Sequence, residues 1–452
     1  MDGKEIKSET KTEHKSESKP EHKNGNGHKN FLFVSNESLS GDLAWQIQKE
    51  GHKVRCYIKS GTDQDVYDGI LEKVPNWREE VDWADVIIFD DTGFGEVADK
   101  LRKEGKFVVG GTAYTDRLEE DREFGQAELK RVGVNVLPRW NFTNMDEAID
   151  FLQKTPGRYV LKPSGFIGSD QKALLFIAEE EDGKDLLEVM VHNRKAWSKK
   201  AKHFQLQKYV TGVEVAVGAF FNGKDFITPV CVNFEHKRMF PGDIGPFTGE
   251  MGTLMFFAPS CEIYKQTLEK MGPLLAESNY VGYVDINCIA DRYGIHPLEF
   301  TCRFGYPTIS IQMEGILNPW GEFMYQLAKG EQFDLKTKKG FQVGVVVAVP
   351  PFPFDDARTF AVYKDSSVLF RKPSWEGVHL GDVKMVEDDL RLAGESGYAL
   401  VITGSGTTVD DARKQAYNRV KNIMLQNMFY RVDIGAKWVN DSDRLHTWGY
   451  LY

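Results

Sequence analysis

The stretch GYVDINCIADRYGIHPLEFTCRFGYPT, residues 282–308, limits what this chain can fold into more than any other. Two apolar-rich runs, 282–289 and 295–302, flank Asp291-Arg292-Tyr293-Gly294, a turn sequence, so the segment reads as a β-hairpin. Side chains alternate along a strand and directly paired residues share a face. With the turn centred near Arg292, Asp285 is expected opposite Glu299, with Thr301 on the same face and Leu298 and Phe300 turned into a core. Opposed like charges destabilise a ladder unless a cation lies between them. A hard divalent ion, Mg²⁺ or Mn²⁺, favours oxygen ligands and substrate phosphates. The alternative is a surface hairpin with two solvated acids. The apolar flanks and the following Arg303-Phe304-Gly305 favour the metal site.

A chain of 452 residues is expected to divide into two to four domains. Its 41% hydrophobic and 27% charged content is that of a soluble globular protein, and its net charge of −10 argues against a nucleic-acid or membrane-surface binder. Five scattered cysteines without a CxxC pair suit reduced core thiols and a cytoplasmic location. No apolar run approaches the ~20 residues of a membrane span, and no secretory signal is evident. Residues 1–29, rich in Lys, Glu, His, Ser and Asn and without an aromatic residue, are expected to be a disordered polar tail.

From Phe31 onward strands near 31–34, 53–58, 86–89 and 107–109 alternate with helices at Ser40 to Glu50 and Phe94 to Glu104. This is the pattern of a parallel open sheet, with ligands at the carboxyl ends of the strands. Its first loop, Ser35 to Gly41, has one glycine and carries Glu37, so an ordinary strand-to-helix cap competes with a phosphate cradle. Residues 117–133 read as an exposed helix ending at Gly133.

Farther on, the strand Arg158 to Lys162 delivers a lysine into a loop with Gly165, Gly168 and Ser169, where backbone N–H groups can approach phosphate oxygens. Phe204 to Val210, including Gln207, and Gly212 to Val217, including Glu214, are two strands about a short break. They frame either an adenine and its ribose or a plain antiparallel hairpin. His236-Lys237-Arg238, followed by the glycine-punctuated loop through Thr248 and Gly249 to Gly252, suits anion binding or a solvated charge run.

Taken in order, these segments resemble the phosphoribosylamine–glycine ligases of the ATP-grasp superfamily, collinearly from about residue 31 to 438. The resemblance is carried by Thr115 to Glu119, Tyr159 to Gly165, Gly212-Val213-Glu214, residues 235–238 and 245–252, Leu298 to Gly305, and Phe429 to Gly435. It implies an α/β chain: a Rossmann-like domain at 30–114, an ATP-grasp domain at 115–335 with a lid at about 140–210, and a small C-terminal α/β domain at 336–452. It implies ATP on Lys162, Gly165, Gly168, Ser169, Gln207 and Glu214, and Mg²⁺ or Mn²⁺ on Glu299 with Asp285 and Thr301. Arg303 and Lys172 would neutralise charge in phosphoryl transfer. His236, Lys237, Arg238, Thr248, Gly249, Asp433 and Gly435 would face the small-molecule substrates, an amino-acid carboxylate and an amine. A monomer or weak homodimer is expected. Three readings stand: the purine-pathway ligase, an ATP-grasp ligase acting on another amine or on a macromolecule, and a nucleotide-binding protein without catalysis.

Four departures bear on these expectations. Glu37 to Gly41 replaces the family's Gly-Gly-Arg-Glu-His loop, Gln126 replaces a lysine, Thr301 an asparagine and Glu250 a glycine. Two added acids facing a phosphorylated amine imply that phosphoribosylamine is a poor acceptor and a cationic or neutral amine a better one. In the C-terminal part, Phe341 to Val349 and Tyr398 to Thr403 read as strands. The Pro350 to Phe354 run is a cleft-lining loop or a chain reversal. Thr408 caps a helix whose core face is Val409, Ala412, Ala416, Val420 and Ile423.

Overall fold

The computed structural model describes residues 27–163, 174–200, 202–354 and 356–452. Most of the expected polar tail, and Gly165, Gly168, Ser169 and Lys172 of the expected phosphate loop and catalytic pair, lie outside those residues. The first sheet is parallel, in the order β3 (Glu72–Lys73), β2 (Lys53–Ile58), β1 (Asn30–Ser35), β4 (Val86–Phe89), β5 (Val108–Val109). Strand β1 is apolar on both faces because both are covered. Phe31 and Phe33 join the main core, while Leu32 and Val34 pack with Trp77, Ile87 and Phe89. Helix α1 (Gly41–Lys49) follows β1, and α2 (Gly95–Lys103) follows β4, as expected.

The expected single helix at 117–133 is instead two, α3 (Ala113–Glu120) and α4 (Arg122–Arg131). Asp121 breaks them: its extended backbone ends α3, and its carboxylate accepts from the N–H groups of Glu123 and Phe124 to cap α4. Strands β6 (Arg139–Phe142), β7 (Tyr159–Pro163), β8 (Phe176–Ile177) and β9 (Phe204–Lys208) form a second sheet, ordered β6-β9-β7-β8. Helices Met145–Lys154 and Lys184–Lys200 bury Met145, Ile149, Leu152, Leu186 and Met190 against it, giving a separate small core.

The third sheet has eight antiparallel strands. Its order is β16 (Gly294–Thr301), β15 (Val281–Asp291), β10 (Val213–Asn222), β11 (Phe226–Glu235), β14 (Gly252–Ala258), β17 (Phe341–Ala348), then the strands Tyr398–Gly406 and Val378–Leu380. Strands β9 and β10 therefore belong to different sheets, which removes the hairpin alternative for residues 204–217. Segment 209–212 is the hinge between the two sheets. Between β11 and β14 the short pair β12 (Arg238–Phe240) and β13 (Ile244–Phe247) projects as a flap. Residues 350–354 make consecutive turns, with Phe352 packed on Tyr398 and Phe429. Thr408 accepts from the Asp411 N–H and caps the helix Val409–Val420, whose buried residues are Val409, Ala412, Ala416 and Val420. Ile423 is buried beyond the helix end.

Candidate active site

The hairpin of β15 and β16 is built from its turn outward. Asp291 Oδ1 accepts from the N–H groups of Tyr293 at 2.7 Å and Gly294 at 3.0 Å, closing the turn. The ladder runs in step to Cys288↔Pro297, then slips, so that Asn287 faces Glu299 and Asp285 faces Thr301. The expected Asp285–Glu299 pair is thus corrected: the face is right, but each direct partner lies two residues away. Pro297 has no N–H to give the ladder, and it is tolerated because β16 is an edge strand. The extra residue beside it, Leu298, makes the bulge, and it is half-buried rather than a core residue. Gln126 Nε2 donates to the carbonyls of both Pro297 and Leu298, at 3.1 and 3.0 Å, so this side chain braces the bulge.

Asp285 and Asn287 are 3% and 4% exposed, and the Oδ1 atom of each is buried without a hydrogen-bond partner. Asp285 Oδ2 accepts from Asn233 Nδ2 at 3.3 Å. Gly218, its ladder partner on β10, leaves the room: a Cβ there would lie 2.5 Å from the Asp285 Cβ and 2.1 Å from the Tyr283 hydroxyl. Burial, then the nearby Glu235 carboxylate, raise the Asp285 carboxyl well above its usual range. Lys237 and Arg303 offset that rise only in part. Among the described residues no group of three His, Cys, Asp or Glu is arranged to hold a metal unaided. Two carboxylates and an amide, completed by substrate phosphates, do suit Mg²⁺.

Around this face the structure gathers cations from three elements. Lys237 Nζ lies 3.3 Å from both Glu214 and Glu235 and 3.4 Å from Glu299. Burial opposes its charge, but those carboxylates outweigh it and hold the ammonium well above its usual value. Arg122, from α4, lies 3.1 Å from the other Glu299 oxygen. Lys162, on β7 of the second sheet, is buried, and burial with repulsion from Arg122 and Lys237 lowers it to about 8. Burial alone would raise Glu299, but Lys237, Arg122 and Lys162 hold it well below the carboxylate range. Glu299 is thus the anion favoured by three cations, Lys162 from a strand, Arg122 from a helix and Lys237 from the loop after β11. Gln207, also expected at the nucleotide, is buried on β9 beside Val160 of β7.

Arg303 lies 3.1 Å from Glu119 and 3.3 Å from Asp91. The Cys302 N–H donates to the other Glu119 oxygen at 2.7 Å, so α3 and the end of β4 fix the loop after β16. The expected substrate set disperses. His236 Nε2 accepts from the Gly435 N–H at 3.3 Å, and burial, then Arg431, lower its pKa to about 4, which keeps it neutral. Arg238 donates to the Gly245 carbonyl at 2.8 Å and stacks on Phe247. Both the N–H and the hydroxyl of Thr248 donate to the Lys237 carbonyl, at 2.8 and 2.9 Å. Asp433 is engaged by Arg431 at 2.7 Å. A Cβ on Gly249 would meet nothing within 4 Å, so that position is open. Of the basic trio only Lys237 reaches the central cluster.

At the N-terminus of α1, Asp90 Oδ2 accepts from the Ser40 N–H and the Ser40 and Ser35 hydroxyls, at 3.1, 2.6 and 2.9 Å. The Ser38 N–H is taken by Ser35 Oγ. The helix end that could receive a phosphate already holds the chain's own carboxylate. Burial and the nearby Glu235 raise Glu250 well above its usual value, so this side chain resists carrying the negative charge expected of it. Glu235, Asn287, Arg122, Asp91 and Glu119 had no site role from the sequence, although residues 119 and 235 lie in motif segments. Asn287 was accessible to the alternation rule, two residues from Asp285. The other four arrive from distant segments.

Residues 120–309 match the family model for the ATP-grasp (A) domain of phosphoribosylglycinamide synthetase. A phosphoribosylamine–glycine ligase of Escherichia coli O6:H1 is 26% identical over 436 residues, covering 89% of this chain and 97% of its own length. That of Streptococcus pneumoniae R6 is 25% identical, with 77% and 82% covered. Among solved structures, the Thermotoga maritima phosphoribosylamine–glycine ligase superposes with TM-score 0.67 at 21% identity, covering 90% of this chain and all of that one. A Campylobacter jejuni biotin carboxylase complex gives TM-score 0.61 at 14% identity, over 94% and 98%. The resemblance read from the motifs, and the α/β ATP-grasp fold it implied, are borne out.

Proposed function

We propose that this chain, whose residues 120–309 carry an ATP-grasp domain of the phosphoribosylglycinamide synthetase type, is an ATP-dependent carboxylate–amine ligase that forms an amide through an acyl phosphate. The observation that carries the reading is the convergence of Lys162, Lys237 and Arg122 on Glu299, beside the partnerless oxygens of Asp285 and Asn287. A substrate carboxylate oxygen attacks the γ-phosphorus and ADP leaves. The amine nitrogen then attacks the acyl carbon, phosphate departs and the amine loses a proton. Lys162 and Lys237 neutralise charge on the transferring group, where positioning and electrostatics do most of the work. Glu299 and Asp285 would hold a divalent cation, which when bound would supply positive charge against the ATP phosphates. The relatives' names supply the substrates, phosphoribosylamine and glycine. ADP release that requires both, with glycinamide ribonucleotide identified by mass, tests the reading. ADP release indifferent to every carboxylate and amine would overturn it. Five buried, unbridged cysteines suit the cytoplasm, and no helix among the described residues is long and apolar enough to cross a membrane.

One observation favours a second reading of the acceptor. Because Asp90 accepts from the Ser40 N–H, the start of α1 is already filled by the chain's own carboxylate where a substrate phosphate would dock. We expect kcat/KM for an unphosphorylated cationic amine to exceed that for phosphoribosylamine by at least about tenfold, the effect of roughly 1.4 kcal/mol. Efficient turnover of phosphoribosylamine would restore the plain family substrate.

Lys162 gives a pH test of the nucleotide site. With its free-state pKa at about 8, the lysine is charged below that pH and bound phosphates raise it further. Nucleotide affinity should be flat from pH 6 to 7 and fall towards about tenfold per unit above 8. Lys162→Ala should lose that slope and weaken ATP far more than any carboxylate substrate. Unchanged calorimetric affinity in the variant would remove Lys162 from the site.

A further inference from the structure

Thr301 stands where the resembled ligases carry an asparagine, so the metal-binding face lacks the neutral carbonyl oxygen that accompanies its glutamate. The structure offers one elsewhere on the same face. Asn287 is directly opposite Glu299 across the β15–β16 ladder, whereas Asp285 is opposite Thr301. Direct partners have Cβ atoms about 4.5–5.5 Å apart and diagonal ones about 7–8 Å, so Asn287 is nearer to Glu299 than Asp285 is. The Asn287 amide has a defined orientation. Its Nδ2 donates to Glu235 Oε2 at 2.9 Å, and Glu235 is itself paired with Lys237 at 3.3 Å. A carboxylate in an ion pair only accepts, so the nitrogen must face Glu235 and the oxygen must face away. That oxygen is buried and has no hydrogen-bond partner, which in a folded protein calls for an explanation. Asp285 Oδ1, two residues back on the same face, has the same unmet need.

We propose that the Asn287 side-chain carbonyl is an oxygen ligand of the nucleotide-bound divalent cation, acting with Glu299 and Asp285 in the place that Thr301 leaves unfilled. The two partnerless oxygens and the Glu299 carboxylate present three hard donors from one sheet face. That is a partial set of the kind that nucleotide phosphates and water complete around Mg²⁺. Glu235 then acts one step back. By holding the amide nitrogen it fixes which atom of Asn287 meets the ion, as outer partners of metal ligands do. The hydroxyl of Thr301 is left a bystander, and its replacement costs the site little.

The inference rests on the proposed nucleotide function, and the experiment separates the two. Binding of Mn²⁺ in the presence of ADP, followed by electron paramagnetic resonance on the full chain, reads the metal directly without turnover. Wild type should bind one Mn²⁺ per chain with ADP. Asn287→Ala should weaken Mn²⁺ by about 10-fold or more, while Thr301→Ala changes it less than twofold. Asn287→Asp, which keeps a carbonyl-type oxygen and adds charge, should retain the ion. A melting curve and metal-free ADP affinity like wild type's guard against misfolding, and Asn287→Ser replaces the alanine variant should that one fail to fold. If wild type binds no Mn²⁺ with ADP, the proposed function and this inference fall together. If wild type binds it and Asn287→Ala binds equally well, or Thr301→Ala alone loses it, only this inference is overturned.

Discussion

Replacing Glu299 by alanine is expected to lower ADP formation by roughly a thousandfold, the scale of losing one charged group that stabilises a transition state. The variant leaves Lys162, Lys237 and Arg122 facing one another without their shared anion, so it should also melt somewhat earlier. Asp285→Ala should lose activity on the same scale with the opposite effect on stability. Its carboxyl is buried with one oxygen partnerless, and removing an unsatisfied buried acid relieves a desolvation cost. Equal or greater thermal stability together with lost ADP formation would mark Asp285 as kept for the ion. Full activity of Asp285→Ala at low Mg²⁺ would show that it is no ligand.

The second large effect is expected at Arg431, which is fully buried. Its guanidinium donates to both oxygens of Asp433, at 2.8 and 2.7 Å, to Asp243 at 3.0 Å, and to the Arg238 carbonyl at 2.9 Å. It ties the β12–β13 flap to the C-terminal segment. Burial would raise Asp433, but Arg431 overrides it and holds the carboxyl at about 2. The stabilisation is complete above the ordinary Asp value near ~3.9 and is lost as pH falls through about 2. Breaking a buried pair by removing one partner costs about 3–5 kcal/mol. Arg431→Ala should therefore speed amide hydrogen exchange in residues 238–247 by about a hundredfold or more at neutral pH. Exchange unchanged in that segment would mean that the flap is held from elsewhere.

What could be read from the sequence followed from short-range rules. The alternation of apolar strands and helices at 31–109 and the Thr408 cap depend on neighbours a few residues apart, and both appear where expected. The face of the 282–302 hairpin was legible for the same reason, but its register was not. The bulge arises because Pro297 cannot donate and because Gln126, from a helix about 170 residues earlier, takes two carbonyls. The break at Asp121 could have been seen, since an Asp followed by a polar helical turn is a cap signal. The directions of the side chains in the loop after β11 were hidden for a different reason. His236, Lys237 and Arg238 are adjacent in sequence, yet alternation and a flap send them to Gly435, to the central carboxylates and to Gly245 respectively. A run of like charges fixed neither direction nor partner.

The eight-stranded sheet sets an order of events for the growing chain. Gly252–Ala258 pairs on one side with β11, already synthesised, and on the other with Phe341–Ala348, more than eighty residues later. Until that later strand emerges, an apolar run, Leu254-Met255-Phe256-Phe257, presents unpaired N–H and C=O groups along one edge. Such an edge is a template for another chain. Cutting the protein between residues 330 and 340 would make that exposure permanent. The part of the chain that matches the ATP-grasp domain is therefore not a separable module, because its sheet is completed only by strands far beyond it.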